Sequence, residues 1–372
     1  MKKWIVLVIL LILSFIIYIS YIAYVNALFF DKLSKNNNAQ ISNAQFHKGF
    51  LKSYGSFTLK DSLHPNFLIQ VNLEFYNLLF KEDIKGEIIY PFDFLNHSLK
   101  NNKLAAFTVQ WNKNKIKIFL KLEDINLNHE GGNTLIKGGS IESVLNENLE
   151  ITDIKMHFKD IVFSQFYTQF NLENLSYEQN FDHGIYLYDF NFLSDSKQEI
   201  SFDSLSFNHN KIKAFHSQSQ LKQDAKTLKF KIKGQSKEVN IYLPSVFHEN
   251  LNFEKTNFNI SMDKSFNLNF NFLDLFEKNI NLNIENLNFE KNKQDIKTQG
   301  HIHIHENIYQ AKLQIISSKQ PDEIFIWAQN YGGLNQYFFK ENHHFILNLI
   351  YDNTIKPQLK INGKEFTNMD LN

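Results

Sequence analysis

The sequence predicts a mainly β protein: an N-terminal transmembrane helix followed by an elongated, curved antiparallel β-sheet with a few short helices. Three observations predict this fold class. The chain begins with a long apolar run, its body alternates between apolar and polar residues, and aromatic residues make up 15% of its 372 positions, with 37 Phe. We therefore divide the chain into an anchor, residues 1–30, and a β-rich body, residues 31–372.

The first predicted element is a membrane-spanning helix. Two lysines, Lys2 and Lys3, precede an apolar run from Trp4 to Val25. A helix of that length measures roughly 33 Å, which is sufficient for a hydrocarbon core of ~30 Å. Tyrosines near the far end suit an aromatic belt, and the two lysines favour a cytoplasmic N-terminus. The run thus predicts a single-pass inner-membrane anchor with the body of the chain outside the cytoplasm.

A cleaved signal peptide is the alternative for the same segment. Val25-Asn26-Ala27 fits the small-residue pattern of a cleavage site after Ala27. The apolar run, however, exceeds the roughly 7–15 residues of a typical signal core. Both interpretations place the body outside the cytoplasm, and the choice between them stays open.

From about residue 100 onward, period-two alternation predicts antiparallel strands with one dry face and one wet face. The clearest segments are KIKIFLKLE at 115–123, GIYLYDFNF at 184–192, TLKFKIKG at 227–234 and SFNLNFNF at 265–272. In the last of these, Phe266, Leu268, Phe270 and Phe272 share one face. Such a stripe forms either part of a closed core or the lining of an apolar ligand groove. We take these four residues as the candidate ligand groove.

Helical signals are few in the body. Pro321, Asp322 and Glu323 resemble a first helical turn, and Gly332-Gly333 would end the helix. Between them Ile324, Trp327, Ala328 and Tyr331 have helical spacing. A short helical turn is also predicted after Pro244, while residues 62–82 fit neither period clearly.

The segment HIHIH, residues 301–305, has two interpretations. On a strand the three histidines share one face roughly 6.8 Å apart per step, with Ile302 and Ile304 directed to the core. His301 and His303 could share a metal ion, but a catalytic zinc would need a further ligand from another strand. We expect an exposed strand face; the alternative is a metal-dependent hydrolase built on His301 and His303.

Composition excludes several other classes. The formal net charge is zero, and all 39 basic residues are lysine, so a nucleic-acid partner is not expected. Without cysteine, thiol catalysis and Cys-based zinc sites are impossible. No GxGxxG, GxxxxGK[ST] or GxSxG motif occurs, and Gly131-Gly132 and Gly138-Gly139 are interpreted as two hairpin turns. No catalytic residue and no cofactor is predicted.

The body also contains an internal echo. ENLSYEQ at 173–179 returns as ENLNFEK at 249–255 and again at 285–291. Each copy has the pattern of one short strand. The separations are irregular, so chance similarity in a chain rich in Asn, Phe and Glu is the alternative to a real repeat of strand pairs.

Two stretches resemble the YdgA-like bacterial family of unknown function. After the anchor comes the aromatic-x-basic-Gly segment Phe46–Gly49; near the end come Gly333-Leu334 and a hairpin with an Asn-Gly turn, LKINGK at 359–364. The resemblance implies a Gram-negative inner-membrane anchor with a periplasmic body, and it provides no catalytic residues. The strand pattern is also similar, more weakly, to AsmA- and TamB-like envelope proteins, whose sheets shelter lipid.

From these observations we expect a non-enzymatic cell-envelope protein. Its expected partners are the inner membrane, through Trp4–Val25, and a lipid or another envelope protein. Whether the body binds lipid or acts as a scaffold is left open at this point.

Overall fold

The structure, a computed structural model, describes residues 2–35, 41–60, 68–77, 84–90, 102–112, 114–129, 131–186, 194–224, 227–242, 250–265, 280–305, 307–325, 329 and 333–366, with side chains of the first helix from residue 14 onward. The predicted fold class is confirmed: an N-terminal apolar helix precedes a mainly β chain, and every strand pairing among the described residues is antiparallel. The chain divides into two compact units, residues 1–166 with 184–190 and residues 167–183 with 191–372.

Helix α1, Lys2–Ser34, extends four residues beyond the predicted end of the anchor. Within the described residues it is the single helix long and apolar enough to cross a membrane, over Ser14–Lys32 with a mean hydropathy of 1.4. A signal sequence meets the same criteria of length and composition. Lys32 lies in the last turn, where a cation interacts favourably with the helix dipole.

Unit 1 contains the first ten strands: β1 (Ile41–His47), β2 (Lys52–Lys60), β3 (Leu68–Tyr76), β4 (Ile84–Ile89), β5 (Lys103–Asn112), β6 (Lys115–Leu122), β7 (Ile125–His129), β8 (Gly132–Lys137), β9 (Ser140–Leu145) and β10 (Glu150–Gln165). Strands β1 to β6 pair consecutively, then β9 pairs with both β6 and β10. Strand β8 pairs with β10 and β7. The predicted alternation at 115–123 thus forms β6.

One of the two predicted glycine hairpins is wrong. Gly131, with φ of 81°, makes the predicted turn between β7 and β8. Gly138-Gly139 makes none, because β8 and β9 follow one another along the same edge of β10, pairing with residues 160–165 and 151–157. Gly138, with φ of 60°, therefore supplies a break within an almost continuous strand rather than a reversal of the chain.

Unit 2 contains β11 (Thr168–Tyr186, whose last three residues belong to unit 1), β12 (Ser196–Phe207), β13 (Asn210–Asp224), β14 (Thr227–Ser236), β15 (Glu238–Tyr242), β16 (Asn250–Phe253), β17 (Lys255–Ser265), β18 (Ile280–Lys291), β19 (Gln294–His305), β20 (Ile308–Ser317), β21 (Phe339–Glu341), β22 (His344–Asp352), β23 (Gln358–Ile361) and β24 (Lys364–Glu365). The pairing order is β11–β12–β13–β14–β17–β18–β19–β20–β22–β23–β24. Strand β15 joins β13 to β16, and β21 pairs with β22.

The two identical copies of the sequence echo meet in unit 2. The equivalent residues Phe253 and Phe289 have ring centroids 4.7 Å apart, and the Glu254 N–H donates to the Glu290 carbonyl at 2.8 Å. The third copy lies in the middle of β11. The two copies therefore contact each other directly rather than occupying equivalent places in stacked strand pairs.

The predicted helix at Pro321 begins where expected but is a single turn. Helix α2, Pro321–Ile324, ends at Phe325, and Trp327, Ala328 and Tyr331 lie outside the described residues, as does the segment after Pro244. Asp322 accepts a hydrogen bond from the Leu334 N–H, and a Cβ on Gly333 would lie 2.5 Å from the Asp322 carboxylate.

The Asn362-Gly363 turn has φ of 51° and 82°, as the predicted tight hairpin requires.

Candidate functional site

The four residues of the candidate ligand groove, Phe266, Leu268, Phe270 and Phe272, lie outside the described residues. Whether this sheet has an apolar face is therefore decided by the neighbouring strands. Strands β14, β17, β18, β19, β20, β22 and β23 are consecutive neighbours in unit 2, and their register is described on both faces.

One face of these seven strands is apolar. Residues directly opposite each other in antiparallel strands point to the same side of the sheet. Following the register from β14 to β23 gives two adjacent rows, which we call the apolar face: Phe230, Met262, Leu282, Ile302, Ala311, Tyr351 and Leu359, and beside them Ile232, Ile260, Ile284, Gly300, Leu313, Leu349 and Ile361.

The side chains of the apolar face are mostly half-buried. Of its members only Ile284, at 8% exposed, belongs to the buried hydrophobic core, while the others keep an intermediate exposure. Side chains in a closed core are usually fully buried and contact neighbours on all sides. The apolar face thus has the exposure of a surface that is only partly covered.

The opposite face is mostly polar, and the three histidines of HIHIH lie on it. His301 is opposite Asn283 and Lys312, and His303 is opposite Asn281 and Gln310. The predicted strand is confirmed, and His301 and His305 are exposed. Ile302 and Ile304 are half-buried rather than deep in a core, because they belong to the partly covered face.

Within the described part of the sheet, no neighbouring strand brings a further metal ligand to the histidines. The rings of His303 and His305 stack at 6.3 Å, and His303 Nδ1 contacts the side-chain oxygen of Asn281. The cross-strand neighbours of His301 are an amide and a cation, neither of which is a carboxylate ligand. Among the residues that the structure describes, no group of three or more His, Asp or Glu side chains is placed to hold a metal ion.

Gly300 lies just before the histidine segment, at a register shift between β18 and β19. Two residues of β18 are opposite one residue of β19 at this point, which is a β-bulge. Gly300 has φ of 146°, and a Cβ there would lie 2.1 Å from the Lys312 carbonyl oxygen. Only glycine fits this close approach of β20. The pairing of β19 with β20 has no register shift from Ile296 to His305, so the side that the histidines occupy follows from the regular alternation of β19.

A second site, which the sequence did not predict, joins helix α1 to the sheet of unit 1. Phe30 is 4% exposed, and its ring centroid lies 5.2 Å from that of Phe46, 6.3 Å from Phe57 and 6.4 Å from Phe75. A Cβ on Gly55 would lie 2.5 Å from the Phe30 ring. The end of the helix is therefore part of the hydrophobic core of strands β1 to β3.

Asn77 fixes the polar edge of the same site. Its buried side-chain amide donates to the carbonyls of Gly49 and Phe50 at 2.9 Å each, and its backbone N–H donates to the Leu51 carbonyl at 3.0 Å. Its side-chain oxygen accepts a hydrogen bond from Asn26 of α1, also at 2.9 Å. One buried residue thus connects the helix to the loop between β1 and β2.

The segment behind the family resemblance lies in this site. Phe46 packs on Phe30 and Phe75, and a Cβ on Gly49 would lie 2.0 Å from the Lys52 carbonyl oxygen. Packing therefore explains why an aromatic residue and a glycine occupy positions 46 and 49. The signal in the sequence was Asn26, a polar residue placed directly after the apolar run.

Two titratable groups next to this site form an ion pair. Lys52 Nζ lies 2.6 Å from Glu74 Oε1, and this hydrogen bond raises the pKa of Lys52 and lowers the pKa of Glu74. Both side chains remain partly exposed to solvent, so the pair adds little stability. In unit 2, burial raises the pKa of Tyr177 to about 12.

Comparisons with known proteins found no matching family model, no matching curated protein and no matching solved structure.

Proposed function

We propose that the protein is a membrane-anchored, non-enzymatic cell-envelope protein whose unit 2 binds the acyl chains of lipids on its apolar face. The observation that carries this proposal is the half-burial of the apolar rows across seven neighbouring strands. Contiguous apolar surface that stays partly exposed is typical of binding sites.

The dimensions of the apolar face suit an acyl chain. Seven strands spaced ~4.8 Å apart extend over roughly 29 Å across the sheet. One leaflet of a bilayer takes about half of a hydrocarbon core of ~30 Å, so about 15 Å. Two adjacent apolar rows would let the acyl chain lie along the sheet while its headgroup stays in water.

The location in the envelope rests on α1 and on the family resemblance. Helix α1 supports membrane attachment through its length and its apolar composition. The docking of Phe30 and Asn26 on unit 1 supports an uncleaved anchor, because cleavage after Ala27 would remove the donor that Asn77 faces. Lys2 and Lys3 favour a cytoplasmic N-terminus, and the resemblance to the YdgA-like family supports a periplasmic body.

The test compares two neighbouring residues of β18 that face opposite sides. Leu282 belongs to the apolar face, and Asn283 is exposed on the polar face. Full-length Leu282→Asp and Asn283→Asp would be purified in the same detergent, and their bound phospholipid measured by mass spectrometry. Lipid held by α1 is common to both, so any difference reports on unit 2.

We expect Leu282→Asp to lose most of the phospholipid that unit 2 binds, because a carboxylate on the apolar face opposes acyl-chain binding. The Asn283→Asp protein should retain that phospholipid. Equal lipid content in the two folded variants would contradict the proposal. Capture of a protein instead of lipid by the apolar face would favour a scaffold.

A further inference from the structure

The loop between β1 and β2 displays apolar side chains on the outside of unit 1. Phe50 is 54% exposed and Leu51 is 50% exposed, although the carbonyls of both accept hydrogen bonds from Asn77. With its backbone held by a buried side chain, the loop has a fixed shape. The side chains of Phe50 and Leu51 are therefore held in their exposed positions by the fixed backbone of the loop.

The level of this loop along α1 is set by a hydrogen bond. Asn26, the donor to Asn77, is the residue directly after the apolar run Trp4–Val25. If the run crosses the membrane, Asn26 lies at the surface of the bilayer on the side of the body. The loop that Asn77 holds is then also at that surface.

Two further residues of α1, on the N-terminal side of Asn26, are also buried. Ile19 and Ala23 are 0% and 1% exposed, and they share a helix face with Asn26 and Phe30. Ile19 lies seven residues before Asn26, which is roughly 10 Å along the helix. One face of the apolar run is therefore covered by protein over this length.

The chemistry of the loop fits a bilayer interface. Lys48 is exposed, Tyr54 is 50% exposed, and the segment from Phe46 to Tyr54 contains no acidic residue. Aromatic and aliphatic side chains next to a lysine are the composition of interfacial segments, where the lysine approaches lipid phosphates.

We infer that the loop Lys48–Leu51 is a second membrane contact, in which Phe50 and Leu51 insert into the boundary between headgroups and acyl chains of the bilayer that α1 crosses. The inference rests on the proposed anchoring by α1. Two attachment points, the helix and the loop, fix the orientation of unit 1 on the membrane, which a single helix would leave free to rotate.

Because the chain has no cysteine, single cysteines can be labelled without further changes. Leu51→Cys would carry a polarity-sensitive fluorophore in the full-length protein, reconstituted in vesicles of phosphatidylethanolamine and phosphatidylglycerol. Leu149→Cys is the matched comparison, because Leu149 of unit 1 is 52% exposed. Ile17→Cys, within the apolar run and 68% exposed, reports on the anchor itself.

We expect iodide to quench the label at Leu51 several-fold less than the label at Leu149, with blue-shifted emission at Leu51 and at Ile17. Equal quenching at Leu51 and Leu149, with Ile17 protected, would overturn the loop contact alone. A quenched label at Ile17 would overturn the anchoring on which it rests. Protection at Leu51 that disappears on dilution of the protein in lipid would indicate a second copy of the chain and also overturn the loop contact.

Folding of each labelled protein would be checked by circular dichroism. If Leu51→Cys fails to fold, Phe50→Cys replaces it, since both side chains belong to the same loop and carry the same expected result.

Discussion

Replacing Phe30 with alanine tests whether α1 and the sheet of unit 1 form one core. Phe30 is 4% exposed and contacts three other Phe rings, so we expect a loss of about 3–5 kcal/mol in local stability. Phe29 is the matched control: it is 39% exposed, and among the described residues its ring contacts that of Phe75, with the centroids 6.4 Å apart, so Phe29→Ala should cost about 1 kcal/mol.

The measurement is hydrogen–deuterium exchange of strands β1 to β3 in the full-length protein in detergent. Because each 1.4 kcal/mol is a factor of ten, amides that exchange through opening of this core should exchange more than about 100-fold faster in Phe30→Ala. The Phe29→Ala protein should stay within about tenfold of the parent. Similar exchange in the two variants would refute the docking of the helix through Phe30.

Three further predictions address the anchor, the histidines and a buried tyrosine. Intact mass spectrometry of membrane-extracted protein should show a chain that retains its N-terminal helix, and a chain beginning at Leu28 would establish the signal peptide instead. Replacing His301, His303 and His305 together by Gln should change the free energy of unfolding by no more than about 0.5 kcal/mol per site, and stoichiometric zinc lost in that variant would support the metal site. Burial raises the pKa of Tyr177 from 10.0 in the unfolded chain to about 12 in the folded protein, so the free energy of unfolding should fall as pH rises between these values. Urea unfolding at several pH values should show that Tyr177→Phe lacks this part of the decline. An unchanged decline in the variant would contradict the burial of the phenol.

Two strands of unit 2 were predictable because the alternation of the predicted segments is uninterrupted. The segment at 227–234 lies in β14, and HIHIH ends β19. Each strand has one apolar side, and a shift of one residue would expose it, so the pattern determines which residues share a face. The bulge in β18 between Ile284 and Leu287 was not predicted, since the register shift arises only from the pairing of β18 with β19.

Strand β3 shows why residues 62–82 were left undecided. Val71, Leu73 and Phe75 alternate as a strand requires, yet Val71 and Phe75 are also spaced as in a helix. Pairing with β2 and β4 settles the choice, and those contacts are invisible in a local pattern.

The helix docking site could not be predicted for a related reason. The hydrogen bond between Asn26 and Asn77 joins residues 51 apart in sequence. Apolar residues of α1 were all assigned to the membrane because hydropathy does not distinguish a face in lipid from a face on protein. Ile19 and Ala23 are on such a protein-covered face.

Site-specific photo-crosslinking on β19 tests the central claim most directly, that the apolar face of unit 2 binds lipid. A photoreactive amino acid would replace either Ile302, on the apolar face, or the adjacent His303, on the polar face, in living bacterial cells containing radiolabelled phospholipid. Our account predicts labelled lipid attached to the protein with the probe at residue 302 and little or none at residue 303. Equal labelling at both positions, or labelling of neither in a folded protein, would contradict it.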